Sequence, residues 1–238
     1  MPRTSALFDP CTALAWNKCL WADDPLWTWR PSNGNPVSTW RNAGSVTGDA
    51  EQLTANLQPL FQSSVAALNG KGAVQFDGVN DYMDCAQFSL VNQFSIAAIA
   101  NITVPSGCVV AWNNTVANAY YRVDASGVTM RQANGPRLVV TVSAVPYLMW
   151  GTYVFAVGGA VQTGLSSVAD PATGALGGDE AANFLRLGGR PLDGAVNMAA
   201  QYGFVGFYAG DITQDAQWRN FKEWARSYYG VSVARSGT

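Results

Sequence analysis

Apolar and polar positions alternate along this chain in short runs broken by turn formers, a pattern that predicts strands. Ala73-Val74-Gln75-Phe76 is one such run, ended by the turn pair Asp77-Gly78, and residues 82–85 resume extended structure. Residues 94–104 follow, stopped by Pro105-Ser106-Gly107. The stretch Ala97-Ala98-Ile99-Ala100 would suit a helix, but Ile96, Ile102, Thr103 and Val104 are β-branched and favour a strand. Further runs come at 108–112, 119–123, 128–132, 138–142, 149–157, 184–190 and 202–208. Residues 158–180, rich in Gly, Ala, Ser and Asp, read mostly as loop. Many short strands with regular turn punctuation predict an all-β sandwich or barrel.

The two ends carry most of the tryptophan. Leu26-Trp27-Thr28-Trp29 alternates and predicts a short strand, residues 31–36 are a turn cluster, and 37–40 predict a second short strand. Residues 42–56 are polar and irregular. Trp16, Trp21, Trp27, Trp29 and Trp40 are expected to bury large areas at the ends of the sandwich, the alternative being a platform for sugar faces. Near the other end Trp218, Phe221, Trp224 or Ala225, and Tyr228 recur at helical spacing. Thr213 is the expected N-cap, with Asp215 in the first turn and Gly230 as the stop. The aromatic face of this helix is expected to bury against the sandwich. The organisation is one domain, with a Trp-rich part at 1–68 packing on a core at 69–210 and a helix at 213–229.

Composition narrows the function classes. Apolar residues make up 48% of the 238 and charged ones only 13%, about half the usual share, so the chain is neither disordered nor a charged helical bundle. Net charge is −2 and the basic residues are scattered, which argues against a nucleic-acid partner. No apolar run approaches the ~20 residues that cross a bilayer, and no secretory signal follows Met1, so neither membrane insertion nor signal-dependent export is expected. The four cysteines, Cys11, Cys19, Cys85 and Cys108, form no CxxC and are expected as buried free thiols; Cys11 and Cys19 would pair only if a turn brought them together.

The chain has no histidine, which excludes Ser-His-Asp and Cys-His catalysis and makes a nitrogen/sulfur metal site untenable. Glycoside hydrolysis needs two carboxyl groups flanking a bond. Glu51, Glu180 and Glu223 are the only glutamates, and none has a second acid two residues away in a predicted strand, so no enzyme is expected. A sugar-recognition surface is conceivable where Trp112-Asn113-Asn114 and Tyr120-Tyr121 place aromatics beside amides. No cofactor is expected. Asp77, Asn80 and Asp81 offer clustered oxygens, which read as a turn with calcium as the alternative.

The string from Leu68 to Met83, with its Phe76-Asp77-Gly78, short polar turn through Asn80, and Asp81-Tyr82, resembles the laminin-G-like, concanavalin A-like jelly-roll family. Gln58-Pro59-Leu60, Phe94-Ser95-Ile96, Leu185-Arg186-Leu187-Gly188-Gly189-Arg190 and Gly206-Phe207-Tyr208 extend the resemblance over about residues 55–230. It implies an antiparallel β-sandwich with a short C-terminal helix, in which Phe76 and Tyr82 turn inward around the Asp77-Gly78 reversal. The catalytic branch of that family carries Glu-x-Asp-x-Glu on one strand, which is missing here. Stand-alone modules of this kind on phage particles imply a non-catalytic structural or adhesion component of a virion. Its expected partners are other virion proteins, copies of itself and a cell-surface glycan. A free carbohydrate-binding lectin is the alternative, and a glycoside hydrolase the third reading.

Overall fold

The computed structural model describes residues 8–85, 93–104, 107–112, 120–124, 127–131, 138–140, 147–154, 160–165, 172–175, 184–189 and 197–231. In chain order the strands are β1 (Trp16–Trp21), β2 (Thr39–Trp40), β3 (Ala50–Glu51), β4 (Leu60–Val65), β5 (Lys71–Asp77), β6 (Met83–Cys85), β7 (Gln93–Ile102) and β8 (Gly107–Ala111). They continue as β9 (Tyr120–Asp124), β10 (Gly127–Arg131), β11 (Leu138–Val140), β12 (Tyr147–Val154), β13 (Ala160–Leu165), β14 (Ala172–Ala175), β15 (Leu185–Leu187) and β16 (Ala199–Ala209). Two helices, α1 (Pro10–Ala13) and α2 (Trp218–Tyr229), complete the regular structure. One sheet runs β14-β13-β12-β7-β16-β5-β4, with β1 also on β16, and the other runs β11-β10-β9-β8-β15-β6-β3-β2. All the strand pairings are antiparallel.

The strands β7 and β16 explain where the core sits. Side chains alternate across a sheet. Phe94, Ile96, Ala98 and Ala100 of β7 face the second sheet together with Tyr202, Val205 and Phe207 of β16. Ala97 and Ile99, with Phe204, face the other way, into a second apolar cluster built with α2. Both faces are buried, so both strands read as nearly continuous apolar runs rather than strict alternations. The second cluster is aromatic. Trp16 meets Phe204 and Phe221 edge-on, each at 5.4 Å, and its indole Nε1 donates to the Pro10 carbonyl at 2.8 Å. Glycines in β16 leave room for these rings: a Cβ on Gly206 would lie 2.6 Å from the Trp16 ring, and one on Gly203 would run into Tyr229. The apolar face of α2 therefore buries on the sandwich, as its spacing predicts, and Gly230 ends the helix at φ 71°.

Several sequence expectations are corrected. Residues 26–29 form turns, not a strand: Asp24 Oδ1 accepts the Leu26 N–H at 2.8 Å and the Asp24 carbonyl accepts the Trp27 N–H at 3.1 Å. This local turn chemistry around Pro25 outweighs the alternation. Residues 158–180 contain β13 and β14, whose small and polar residues hid them; β13 pairs in register with β12, a contact that periodicity cannot see. Thr213 caps no helix. Asp211 Oδ1 accepts its N–H and closes a short 3₁₀ turn at Ile212–Gln214, and α2 starts at Trp218. The strands β1, β3 and β4 had no clear periodic signal. Trp16, Trp21, Trp27 and Trp40 are buried, whereas Trp29 is 55% exposed. Cys11 and Cys19 are joined in a disulfide, their Cα atoms 5.6 Å apart, because α1 turns the chain back onto β1; Cys85 and Cys108 are buried thiols outside the bridge. No helix among the described residues is long and apolar enough to cross a membrane.

Candidate functional site

The conspicuous sequence motif is a turn with its own chemistry. Asp77 Oδ1 accepts the backbone N–H groups of Val79, Asn80 and Asp81 at 2.8, 3.1 and 3.2 Å. Burial alone would raise the Asp77 carboxyl, but these donors outweigh it and hold the group below its ordinary value. Gly78 supplies φ 77°. One Asp77 oxygen is thus committed to the turn. Phe76 is buried, but Tyr82 does not turn inward: it stays half-exposed on the outer face of the second sheet. The Arg186 guanidinium lies 3.8 Å from its ring centroid while Nε and Nη2 hold Asp84 at 2.6 and 2.7 Å. Leu57, Val79, Asn80, Tyr82, Arg186 and Asn197 line a cavity of about 230 Å³ beside the turn.

Asp81 is buried and accepts the Asp77 N–H at 3.0 Å. Burial, with the Asp77 carboxylate adding to it and that N–H opposing, pushes its carboxyl up to about 6. A group raised in this way holds its proton more tightly in the folded chain. Its contribution to stability is therefore full below about pH 4 and is lost as pH rises through about 6. Asp81→Asn keeps an acceptor for the Asp77 N–H without the buried charge. It is expected to stabilise the protein by about 2 kcal/mol at pH 7 and by much less at pH 4.5, read by urea unfolding at both values.

Of the expected sugar surface, Trp112 alone has a described side chain. Trp112 is 0% exposed and packs edge-on against Phe94 at 5.7 Å, inside the core between the sheets. Its ring alternates inward at the end of β8, so it contributes to packing and cannot stack on a ligand. Tyr120 and Tyr121 belong to β9, paired with Ala111 and Val110, and Asn113 and Asn114 lie outside the described residues.

A larger concave surface lies along α2. Asn220, Glu223, Trp224, Ser227 and Tyr228 fall three or four residues apart and make one stripe of the helix. With Phe8, Trp21, Asp23, Pro25 and Lys71 opposite, they enclose a groove of about 830 Å³. Trp21 ends β1, and the Ala22 N–H donates to the Gly203 carbonyl at 2.9 Å, which sets the start of the facing turn. Asp23 fastens this turn to β5 and α2 at once. Its carboxylate accepts the Gly72 N–H at 3.0 and 3.2 Å and the Tyr228 hydroxyl at 3.1 Å, with Arg30 at 3.7 Å. A Cβ on Gly72 would strike this carboxylate, so glycine is what admits it. Burial, then the neighbouring Asp23 carboxylate, pushes the Tyr228 phenol well above its ordinary value.

The rings form a continuous array. Trp224 stacks on Tyr228 at 5.4 Å, meets Trp21 edge-on at 5.9 Å and lies 5.9 Å from Phe8. The Lys71 ammonium sits 4.2 Å from the Tyr228 centroid, and Glu223 pairs with Arg226 at 3.2 Å. Ring faces with amide, hydroxyl and carboxylate groups around them are what a sugar requires, since its C–H faces are apolar and its edges are hydroxyls. The sequence presents Trp224 and Tyr228 as packing residues, and Trp21 as a packing residue with a sugar platform as the alternative. The polar stripe of Asn220, Glu223 and Ser227 beside them was the available signal; the opposite wall was not, because Asp23 and Lys71 reach α2 only through the fold.

No protein-family model matches the chain, and no curated protein matches it. Solved structures do. A Trypanosoma rangeli sialidase is similar over 90% of this chain and 33% of its own, with a TM-score of 0.52 and 11% identity. A variant GH54 α-L-arabinofuranosidase soaked with 4-nitrophenyl α-L-arabinofuranoside matches 82% of this chain and 51% of its own, with a TM-score of 0.56 and 10% identity. The binding domain of Paraclostridial Mosquitocidal Protein 1 covers the same shares with a TM-score of 0.50 and 10% identity. This chain thus spans about a third to a half of these relatives, and at such identities the likeness shows the fold alone, a β-sandwich.

The expectation that the chain is no enzyme is corrected by this result. Proteins that share the fold include a sialidase and an arabinofuranosidase, so the sandwich is no argument against glycoside chemistry. Nor need two acids share a strand to meet: Asp23 and Glu223 come from different elements, yet line one groove.

Proposed function

We propose that this chain is a lectin-like carbohydrate-binding module whose ligand lies in the groove along α2. One observation carries the reading: the partly exposed rings of Phe8 and Tyr228, backed by the buried Trp21 and Trp224, lie beside exposed Asn220, Glu223 and Ser227. The fold supports it, since relatives of this shape include a protein soaked with an arabinofuranoside and a toxin binding domain. The jelly-roll connectivity of the laminin-G and concanavalin A type belongs to the same reading.

A virus-particle setting, suggested by composition and resemblance, is a second element. In that setting the groove would hold a host glycan. The Cys11–Cys19 bridge suits a place outside a reducing cytoplasm. Sedimentation of the native protein with particles tests this element separately.

The groove is tested by a glycan array followed by calorimetry. Wild-type protein is expected to bind at least one glycan saturably. Asn220→Ala combined with Glu223→Ala, two exposed sites, should weaken it roughly tenfold or more with an unchanged melting curve, about 1.4 kcal/mol of lost contact. Silence on the array, or full binding by the double variant, would remove the groove as the site.

A further inference from the structure

The charges of the groove are already committed to protein partners. Asp23 is held by the Gly72 N–H, the Tyr228 hydroxyl and Arg30, and Glu223 lies beside Arg226. The Lys71 ammonium rests over the Tyr228 ring. A ligand carboxylate entering the groove would meet two carboxylates and one ammonium that is engaged elsewhere. An uncharged polyhydroxyl ligand meets no such opposition. It needs only a ring face and hydrogen-bonding groups, which Tyr228, Asn220 and Ser227 supply.

The groove is also longer than one sugar. From Asn220 to Tyr228 the helix wall rises about 12 Å at ~1.5 Å per residue. The Tyr228 ring is the one half-exposed aromatic on that wall, as Trp224 is buried beneath it. Its face is the natural stacking surface, and Lys71 covers it. Lysine is suited to this position, because its flexible stem lets the ammonium swing into water at small cost.

Resting on the carbohydrate reading above, we infer that the groove takes a neutral oligosaccharide of more than one unit, and that Lys71 is a displaceable cover on the Tyr228 stacking face. Sugar binding exchanges the ammonium–ring contact for a sugar–ring contact, and the ammonium returns to solvent. Lys71 thus lowers affinity for every ligand that stacks there, and its removal exposes the ring.

The test is calorimetric titration of wild-type protein and Lys71→Ala with xylotriose, cellotriose, maltotriose and arabinotriose, each beside its monosaccharide. 3′-Sialyllactose and trigalacturonic acid are the acidic counterparts. At least one neutral trisaccharide is expected to bind, tenfold or more tighter than its monosaccharide and tighter than either acid. Lys71→Ala should bind it about 2–5-fold tighter still, the range that follows from the ~0.5–1 kcal/mol of an exposed cation–π contact. Weaker or unchanged binding by Lys71→Ala overturns the cover, since lysine would then be a ligand contact or a bystander. Acidic sugars bound as well as neutral ones, with affinity that falls as salt rises, overturn the neutral class. Binding of no sugar by either protein removes the carbohydrate reading itself, and this inference with it.

Discussion

Trp16→Ala is expected to lower stability by about 3–5 kcal/mol, seen as a large fall in the urea midpoint followed by far-ultraviolet circular dichroism. Trp16 is 1% exposed and joins three parts of the molecule. Its ring touches Phe204 on β16 and Phe221 on α2, each at 5.4 Å, and Tyr208 at 6.2 Å. Its Nε1 holds the Pro10 carbonyl of α1. Gly206 lies against the ring and has no side chain with which to fill the space alanine would leave. The cavity would therefore persist, and a persistent cavity is the costly kind. Trp16→Phe keeps most of the packing and loses the hydrogen bond, so it should cost roughly half as much or less. A loss under about 1 kcal/mol for the alanine variant would show that the α2 layer contributes little to folding.

Breaking the Cys11–Cys19 bridge ranks second. The bridge closes a loop with a sequence separation of 8, for which chain entropy gives about 2.5 kcal/mol. Cys11→Ala with Cys19→Ala is expected to lose about that much, and wild-type protein should lose the same amount on reduction. The loss should be local first, with amide exchange rising in residues 8–14, since α1 would then lose its covalent tie to β1 and keep only hydrogen bonds and the packing of Phe8 and Leu14. Thiol counting gives an independent check. The unreduced protein should show two reactive thiols in denaturant, Cys85 and Cys108, and four after reduction. In the native state burial pushes the Cys85 thiol up to about 12, against the pull of Lys18, so it should stay unreactive. Four thiols without reductant would show that the bridge does not form.

Legibility followed locality. The Phe76–Asp77–Gly78 turn was readable because its donors and acceptor lie within four residues of one another. The α2 stripe was readable because helical spacing puts its rings on one side. The strands β13 and β14 were not, since the pairing of β13 with β12, and of β14 with β13, is decided across the sheet rather than along the chain. Trp112 misled for a related reason: an aromatic beside two amides looks the same in sequence whether the ring alternates inward or outward, and in the structure it faces inward.

By itself the sequence determined the class of fold, because period-two alternation with Gly, Pro and Asp punctuation leaves stacked antiparallel sheets as the economical burial. It also determined that the final helix must hide an aromatic face. Only the tertiary structure decided that Asp23 and Lys71 meet Trp224 and Tyr228 across one groove, that Cys11 reaches Cys19, and that Gly203 stands against the Tyr229 ring of α2 and Gly206 against the Trp16 ring of β1. These juxtapositions join residues far apart in the chain or set by the path of a turn. They depend on sheet register and helix placement, which the pattern of one segment constrains but which only its pairing with distant segments fixes.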